Sequence, residues 1–219
     1  MEHEFWHARW AQNQIGFHQD SINAYLQAHW RALAVTGDEA VLVPLCGKSH
    51  DMWWLHDRGH PVLGVELSQI ACKDFFEEGQ CTATVHPDPR FTIFEHDDLQ
   101  LWCGDFFNLT EEDLSSIKLV YDRAALIAFP PEMRRRYVDH LTRILKPGAR
   151  ILLITIEYPQ DAMQGPPFSV RGDEIEQLYG RDYHIERLHE QDLARDDPFA
   201  KRRGLSAARE VVYGLSKDR

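Results

Sequence analysis

The chain reads as a doubly wound α/β protein. The expected architecture is a mostly parallel seven-stranded sheet with an antiparallel C-terminal edge and an N-terminal helical cover. Three observations predict it. Short apolar runs alternate with segments of helical periodicity along most of the sequence. The run ILLITI at 151–156 is apolar enough to be buried on both faces, as a central parallel strand is. The last two apolar runs are joined by a stretch without helical pattern, as antiparallel neighbours at a sheet edge can be.

The 219 residues suit one domain, with 1–36 as the helical cover and 37–219 as the α/β core. The N-terminus MEHEFWHARW lacks the basic end and apolar run of a signal peptide. Asp20 or Ser21 is placed to cap a helix whose Ile22, Tyr25, Leu26, Trp30 and Leu33 fall at helical spacing. Ala40 to Leu45 is a short apolar strand, followed by a helix from about Asp51 that stops near Gly59. Pro61 to Val65 is the next strand, closed by Glu66, and Ser68 caps a helix ending at Gly79. Phe91 to Glu95 and Leu99 to Cys103 form strands joined at Asp97-Asp98, a hairpin signal. Ile117 to Tyr121 is a further strand.

Glu132 to Leu145 is a helix with Met133, Tyr137, Val138, Leu141 and Leu145 on one face, stopped by Lys146-Pro147-Gly148. Arg150 to Ile156 is the most apolar strand, and Tyr183 to Leu188 and Val211 to Leu215 close the sheet. YPQDAMQGPPF, 158–168, is the one long irregular loop. No repeat or low-complexity linker interrupts the pattern.

Composition excludes several classes. A net charge of −11, from 24 basic and 35 acidic residues, opposes a nucleic-acid groove. Arg134-Arg135-Arg136 is expected to be a solvated helix face. Cys46, Cys72, Cys81 and Cys103 form no CxxC pair and suit neither a zinc site nor a disulfide framework, so reduced thiols in a cytoplasm are expected. No apolar run is long enough to span a membrane, and no apolar edge or heptad pattern calls for a partner chain, so a monomer is expected. With 6 Trp, 7 Tyr and 11 Phe, some aromatics are available to line a pocket for a flat ligand.

Open α/β sheets bind ligands outside the carboxyl ends of their strands, where strand order reverses. That rule selects Leu45-Cys46-Gly47, Glu66-Leu67, Gly104-Asp105-Phe106 and Asp122-Arg123. Gly47-Lys48-Ser49 has the ending of a phosphate loop, but the glycine needed five positions earlier is Leu42, inside the strand. The dinucleotide pattern G-x-G-x-x-G is also absent. What remains is Glu66, 19 positions after Gly47 and at a strand end, where a carboxylate accepts hydrogen bonds from ribose hydroxyls. An adenosine without a pyrophosphate is implied, and S-adenosylmethionine fits that description.

His3-Glu4-Phe5-Trp6-His7 matches H-E-x-x-H, the zinc-protease helix. It begins at residue 3, with no preceding strand to shape a cleft and no third ligand placed after it. The reading here is a terminal amphipathic helix whose Phe5, Trp6 and Trp10 pack inward, and no metal is expected.

The segments FWHARWAQNQIGFHQ (5–19), VPLCGKSHDMWWLHDRGHPVLGVELS (43–68), CGDFF (103–107), YDRAALIAF (121–129) and GPPF (165–168) together resemble the bacterial type of thiopurine S-methyltransferase. The resemblance runs from near residue 5 to the final strand and is weaker around KRRGLSAAREVVYGL. It implies an S-adenosylmethionine-dependent enzyme of the class I methyltransferase fold, acting on a small-molecule thiol. By that resemblance Trp10 covers the cofactor, Leu45 contacts its methionine part, Glu66 its ribose, and Asp105 and Phe106 lie beside its adenine. Arg123 lies near both cofactor and reacting sulfur, as the catalytic residue. Phe17 is a pocket wall, with Pro166 and Pro167 opposite. The substrate-contacting Arg of the family's C-terminal region has no direct counterpart: Phe199 stands in the matching place, and Arg202 and Arg203 are the alternatives. The resemblance also admits selenium or tellurium species as methyl acceptors. Two other classes share features with this chain, a nicotinamide oxidoreductase on the same fold and a non-catalytic S-adenosylmethionine-binding module. The first lacks its pyrophosphate turn here; the second would lack Glu66 or Trp10.

Overall fold

The computed structural model describes residues 3–193 and 197–218. Helix α1 (His3–Ala11) and helix α2 (Ala24–His29), extended by a 3₁₀ turn over Trp30–Leu33, precede the sheet. The cap of α2 is Asn23 rather than Asp20 or Ser21. Its side chain accepts hydrogen bonds from the Tyr25 and Leu26 amides at 3.0 and 3.2 Å. The Asn23 amide in turn donates to Asp51 Oδ1 at 2.7 Å, which ties the cover to the core.

Strand β1 (Ala40–Pro44), helix α3 (Asp51–His56), strand β2 (Val62–Glu66) and helix α4 (Gln69–Glu78) follow. Ser68 caps α4 through the Ala71 amide. Strands β3 (Thr84–Pro87), β4 (Thr92–His96) and β5 (Leu99–Cys103) form a meander, with the expected hairpin between the last two. Strand β6 (Ile117–Arg123), helix α5 (Pro131–Ile144), strand β7 (Arg150–Glu157), helix α6 (Gly172–Tyr179), strand β8 (Tyr183–Asp192), helix α7 (Pro198–Arg203) and strand β9 (Arg209–Lys217) complete the chain.

The sheet has nine strands in the order β3-β4-β5-β2-β1-β6-β7-β9-β8. The middle strands from β5 to β7 are parallel, and an antiparallel pair flanks them on each side. Strand order reverses between β1 and β6, so a crevice opens above their carboxyl ends. The count is nine rather than the expected seven, and of the nine only β3 has no counterpart among the apolar segments of the sequence. Strand β3 is exposed at all its positions and so carries no apolar alternation to betray it. The stretch between the closing strands is not a plain loop: α7 is capped by Asp197, which accepts from the Phe199 and Ala200 amides, and it ends at Gly204 in the left-handed conformation, φ +65°.

Alternate residues of each central strand feed two cores. On one face Ile151, Leu153 and Val211 pack with Tyr137, Val138 and Leu141 of α5 and Ile175 of α6. On the other, Val41, Val43, Leu152 and Ile154 pack with Leu26, Trp30, Leu55 and Phe75. Arg134 corrects one expectation. It is 1% exposed, whereas Arg135 and Arg136 are exposed. Its position shares the apolar face of α5 with Tyr137, Val138 and Leu141. Its guanidinium is held by the Phe129 carbonyl at 2.9 Å and by both Glu174 oxygens at 2.6 and 2.7 Å. Among the described residues no helix is long and apolar enough to cross a membrane.

Candidate active site

A cavity of about 290 Å³ runs across the carboxyl ends of the parallel strands and on to the amino end of β9. Trp10, Phe17, Leu45, Glu66, Asp105, Phe106, Arg123 and Pro167 all line it.

Its floor begins with the turn after β1. Leu45 (φ +49°) and Gly47 (φ +55°) are both left-handed, so the chain doubles back at the strand end instead of continuing outward. Glu66 holds that turn: its Oε2 accepts from the Gly47 amide at 2.9 Å and its Oε1 from the Ser68 amide at 2.7 Å. Glu66 is 7% exposed. Burial pushes its carboxyl above the ordinary range, opposed by the N–H groups of Ser68, Gly47 and Leu67. Each carboxylate oxygen has two acceptor directions. The Gly47 and Ser68 amides take one direction on each oxygen, and with the Leu67 N–H also aimed at the group, acceptor capacity remains for a ribose hydroxyl.

Trp10 roofs this end. It is 5% exposed, and a Cβ added at Gly47 would come within 3.2 Å of its ring. Phe17 meets Trp10 edge to face at 5.6 Å and Trp6 at 5.8 Å, which makes an aromatic wall from the cover segment. The Phe5 and Trp6 side chains are only half-buried, so of the three aromatics on α1 Trp10 alone is fully packed. His3 Nε2 lies 3.2 Å from Asp105 Oδ2, and Asp105 Oδ1 accepts from the Phe107 amide at 2.9 Å. The first histidine of the H-E-x-x-H sequence thus faces an aspartate across the cavity rim. Among the described residues no three His, Cys, Asp or Glu side chains assemble as a metal site. Phe106 borders the cavity, but its ring is committed to the core, 5.1 Å from Tyr137 and 5.5 Å from His140. Lys48 is tied to Glu78 at 2.5 Å and Asp74 at 3.6 Å, both on α4.

At the end of β6 the strand's alternation separates two neighbours. Asp122 is fully buried on the α5 face, where Tyr137 donates to its Oδ2 at 2.8 Å and the Leu126 amide to its Oδ1 at 3.1 Å. Burial pushes its carboxyl up to about 6. Asp122 therefore holds the turn that follows the strand. Arg123 is half-buried and borders the cavity.

Beyond Arg123 the walls are Ile127, Ile154, Ile156, Pro166, Pro167 and Phe199. Arg202 and Arg203 of α7 also border the space, so all three residues weighed for the C-terminal substrate contact are present. Two polar residues here were not anticipated. Thr155 is 1% exposed and its hydroxyl has no hydrogen-bond partner among the described residues. It is the lone polar residue of ILLITI, a signal that was legible. Glu210 lies opposite Ile156 in the β7–β9 register, one position before the strand expected from sequence. Its place in the cavity follows only from that antiparallel pairing. Burial raises its proton affinity, while Tyr25 and Arg123 act the other way.

Comparison with known proteins agrees with this fold. The family model described as thiopurine S-methyltransferase matches residues 1–218. A thiopurine S-methyltransferase of Marinobacter nauticus is 63% identical over 218 residues, 99% of this chain and 100% of the relative. One of Pseudomonas fluorescens is 49% identical over 215 residues, 98% of this chain and 99% of the relative. Solved structures match at the level of fold. A SAM-dependent methyltransferase of Anabaena variabilis has a TM-score of 0.67 at 13% identity, covering 98% of this chain and 94% of its own. The 1,6-didemethyltoxoflavin-N1-methyltransferase of Burkholderia thailandensis, solved with bound 1,6-didemethyltoxoflavin and S-adenosylhomocysteine, has a TM-score of 0.65 at 14% identity, covering 99% of this chain and 87% of its own. A sheet with its crevice at the β1/β6 reversal and a sequence match over nearly its whole length lead to one conclusion: the chain belongs to the thiopurine S-methyltransferase family.

Proposed function

We propose that this chain transfers the methyl group of S-adenosylmethionine to the sulfur of aromatic or heterocyclic thiols such as thiopurines, and to selenium or tellurium species. Its setting is cytoplasmic detoxification, by a monomer whose partners are small molecules. The observation that carries the reading is a single cavity with the Glu66 carboxylate at one end and the Arg123 guanidinium further along, walled by aromatic and apolar side chains.

The residues fit the cofactor. The turn at Leu45–Gly47 offers no glycine-rich cradle for a pyrophosphate, which disfavours a nicotinamide dinucleotide. Glu66 keeps acceptor capacity toward the ribose hydroxyls. Trp10 covers the space above Gly47, where even a methyl group would crowd it. Leu45 would lie against the methionine part, and Asp105 and Phe106 beside the adenine. The cofactor, when bound, supplies an electrophilic methyl on a sulfonium.

The chain's own residues supply position and field. Phe17, Pro167 and Ile156 form flat or apolar walls that orient a planar ring and exclude water. Holding sulfur and methyl in line supplies roughly 7–11 kcal/mol of a barrier in well-oriented systems. Arg123 stabilises thiolate charge from the substrate side, because a cation against the sulfonium would repel it. The test is a panel of acceptors with labelled S-adenosylmethionine: thiopurines, benzenethiols, selenite and tellurite. Methyl transfer to the heteroaromatic and aromatic thiols is expected. Transfer to none of the panel, with the cofactor bound, would leave a binding module instead.

A further inference from the structure

Thiol acceptors of this kind arrive in two forms. Arenethiols ionise readily and present a thiolate. Many nitrogen heterocycles are instead thiones, with C=S and the acidic hydrogen on the neighbouring ring nitrogen. Sulfur in a thione becomes a strong nucleophile only as that N–H proton leaves. In a cavity walled in large part by apolar side chains, an acceptor on the protein serves that proton best.

Glu210 is the acceptor the structure provides. Strand order runs β2-β1-β6-β7-β9, so Glu66 on β2 and Glu210 on β9 bracket Arg123 on β6. The cofactor's ribose end and Glu210 are therefore on opposite sides of the reacting position. A base placed there faces the substrate ring rather than the sulfonium. The register sets half-buried Glu210 opposite Ile156, and Ile154, Ile156 and Phe199 line the same cavity.

The groups facing Glu210 are Tyr25 from α2, Arg123 from β6 and Asp197 ahead of α7, and Arg202 and Arg203 of α7 border the same cavity. Tyr25 has one hydroxyl proton and two acceptors, the Glu210 carboxylate and Gln191 Oε1 at 3.1 Å. When Glu210 is protonated, that hydrogen can stay with Gln191, so the carboxylate is not locked in a fixed pair.

We propose that Glu210 is the general base that removes the ring N–H proton of thione substrates as their sulfur is methylated. The assignment rests on the methyl-transfer reading above. The N–H bond breaks and its proton passes to the Glu210 carboxylate. The electron pair moves through the ring to the sulfur, which forms the S–CH₃ bond. The methyl–sulfonium bond breaks, and its pair neutralises the cofactor sulfur. The products are a neutral S-methyl heterocycle, S-adenosylhomocysteine and Glu210 in its acid form, which returns its proton to solvent once product has left. Burial, the largest influence on Glu210, strengthens it as a base at neutral pH.

The experiment compares two acceptors at saturating cofactor: pyridine-2-thione, which carries the ring N–H, and 4-nitrobenzenethiol, which is a thiolate at neutral pH. The readout is the ratio of their kcat/KM values in the wild type and in Glu210→Gln. A general base contributes on the order of a hundredfold or more, so the thione-to-thiolate ratio should fall by about that factor. A loss of folded protein lowers both values equally and leaves the ratio untouched. The pH profile is the second measurement. The wild-type thione reaction should lose rate on the acid side as Glu210 protonates, and Glu210→Gln should show no such limb. A ratio within about threefold of wild type, or an acid limb that survives the substitution, overturns the assignment. A wild type that methylates neither acceptor fails the methyl-transfer reading itself, and this assignment falls with it.

Discussion

At the scale of single residues, Glu66 combines two roles that a substitution separates. It accepts the Gly47 and Ser68 amides and is proposed to accept from the ribose hydroxyls. Hydrogen bonds to a charged acceptor are worth about 1.5–3 kcal/mol each. Glu66→Ala should weaken S-adenosylhomocysteine binding by roughly ten- to a hundredfold or more in calorimetry, and the two orphaned amides should lower stability as well. Normal cofactor affinity in this variant would leave Glu66 with the turn alone. Arg123 should behave differently. Arg123→Ala should lower turnover with an aromatic thiol more than it lowers cofactor affinity, and Arg123→Lys should recover only part. Full turnover at saturation in Arg123→Ala would assign it to packing. Asp122 makes a stability prediction with a definite sign. Its folded-state value of about 6 lies above its ordinary 3.8, so the folded state binds the proton more tightly. The stabilisation is present below about pH 4 and is lost as pH rises through about 6, a change of up to roughly 3 kcal/mol. The difference in unfolding free energy between wild type and Asp122→Asn should therefore shrink by that order from pH 4 to 7 in urea titrations. A difference that grows with pH would contradict the burial argument. Glu66 and Arg123 were legible because strand ends are where open sheets bind ligands. Glu210 was not, because its placement depends on which strand pairs with β7.

At the scale of elements, legibility followed apolar burial. Strands β1, β2, β6 and β7 each bury a run of side chains, so their sequences carry a near-continuous signal, and β5 buries Leu99 and Leu101 in alternation. Strand β3 buries none, and α7 spans only six residues between two longer strands. Helix α6 has eight residues and no side-chain cap at Arg171, so capping chemistry does not announce it; its periodicity does, through Ile175, Leu178 and Tyr179 on one face, but over little more than two turns. Close packing between elements fixes one further expectation. A Cβ at Gly64 in β2 would lie 2.8 Å from both Cys46 Sγ and Met52 Sδ, which join the turn after β1 and helix α3 to that strand. Overpacking of this kind costs about 1–3 kcal/mol. Gly64→Ala should show that loss in urea unfolding, and because the same residues shape the floor beneath Leu45 and Gly47, cofactor affinity should fall with it. An unperturbed midpoint would mean that Met52 moves aside freely.

At the scale of the whole molecule, the cavity couples elements that are far apart in sequence. The cover contributes Trp10 and Phe17, the parallel strands contribute Leu45, Glu66 and Arg123, and the edge contributes α7 and β9. A ligand in that space touches both halves of the sheet and the roof, and unfolding destroys its whole site at once. Binding that is confined to the folded state adds RT ln(1 + [L]/Kd), about 2.7 kcal/mol at a hundredfold excess over Kd. In a chain of this size each kilocalorie moves the melting temperature by roughly 2–4 °C. S-adenosylhomocysteine should therefore raise the melting temperature by about 5–10 °C, while ATP and NADH at the same concentration should leave it in place. The contrast is informative because all three ligands carry an adenosine, so a ribose carboxylate alone would serve each of them. What separates them is the turn after β1, where Glu66 holds the Gly47 amide and no glycine-rich loop is present to wrap phosphates. A rise with NADH and none with S-adenosylhomocysteine would mean that the turn accommodates a pyrophosphate after all, and the oxidoreductase alternative would then replace methyl transfer.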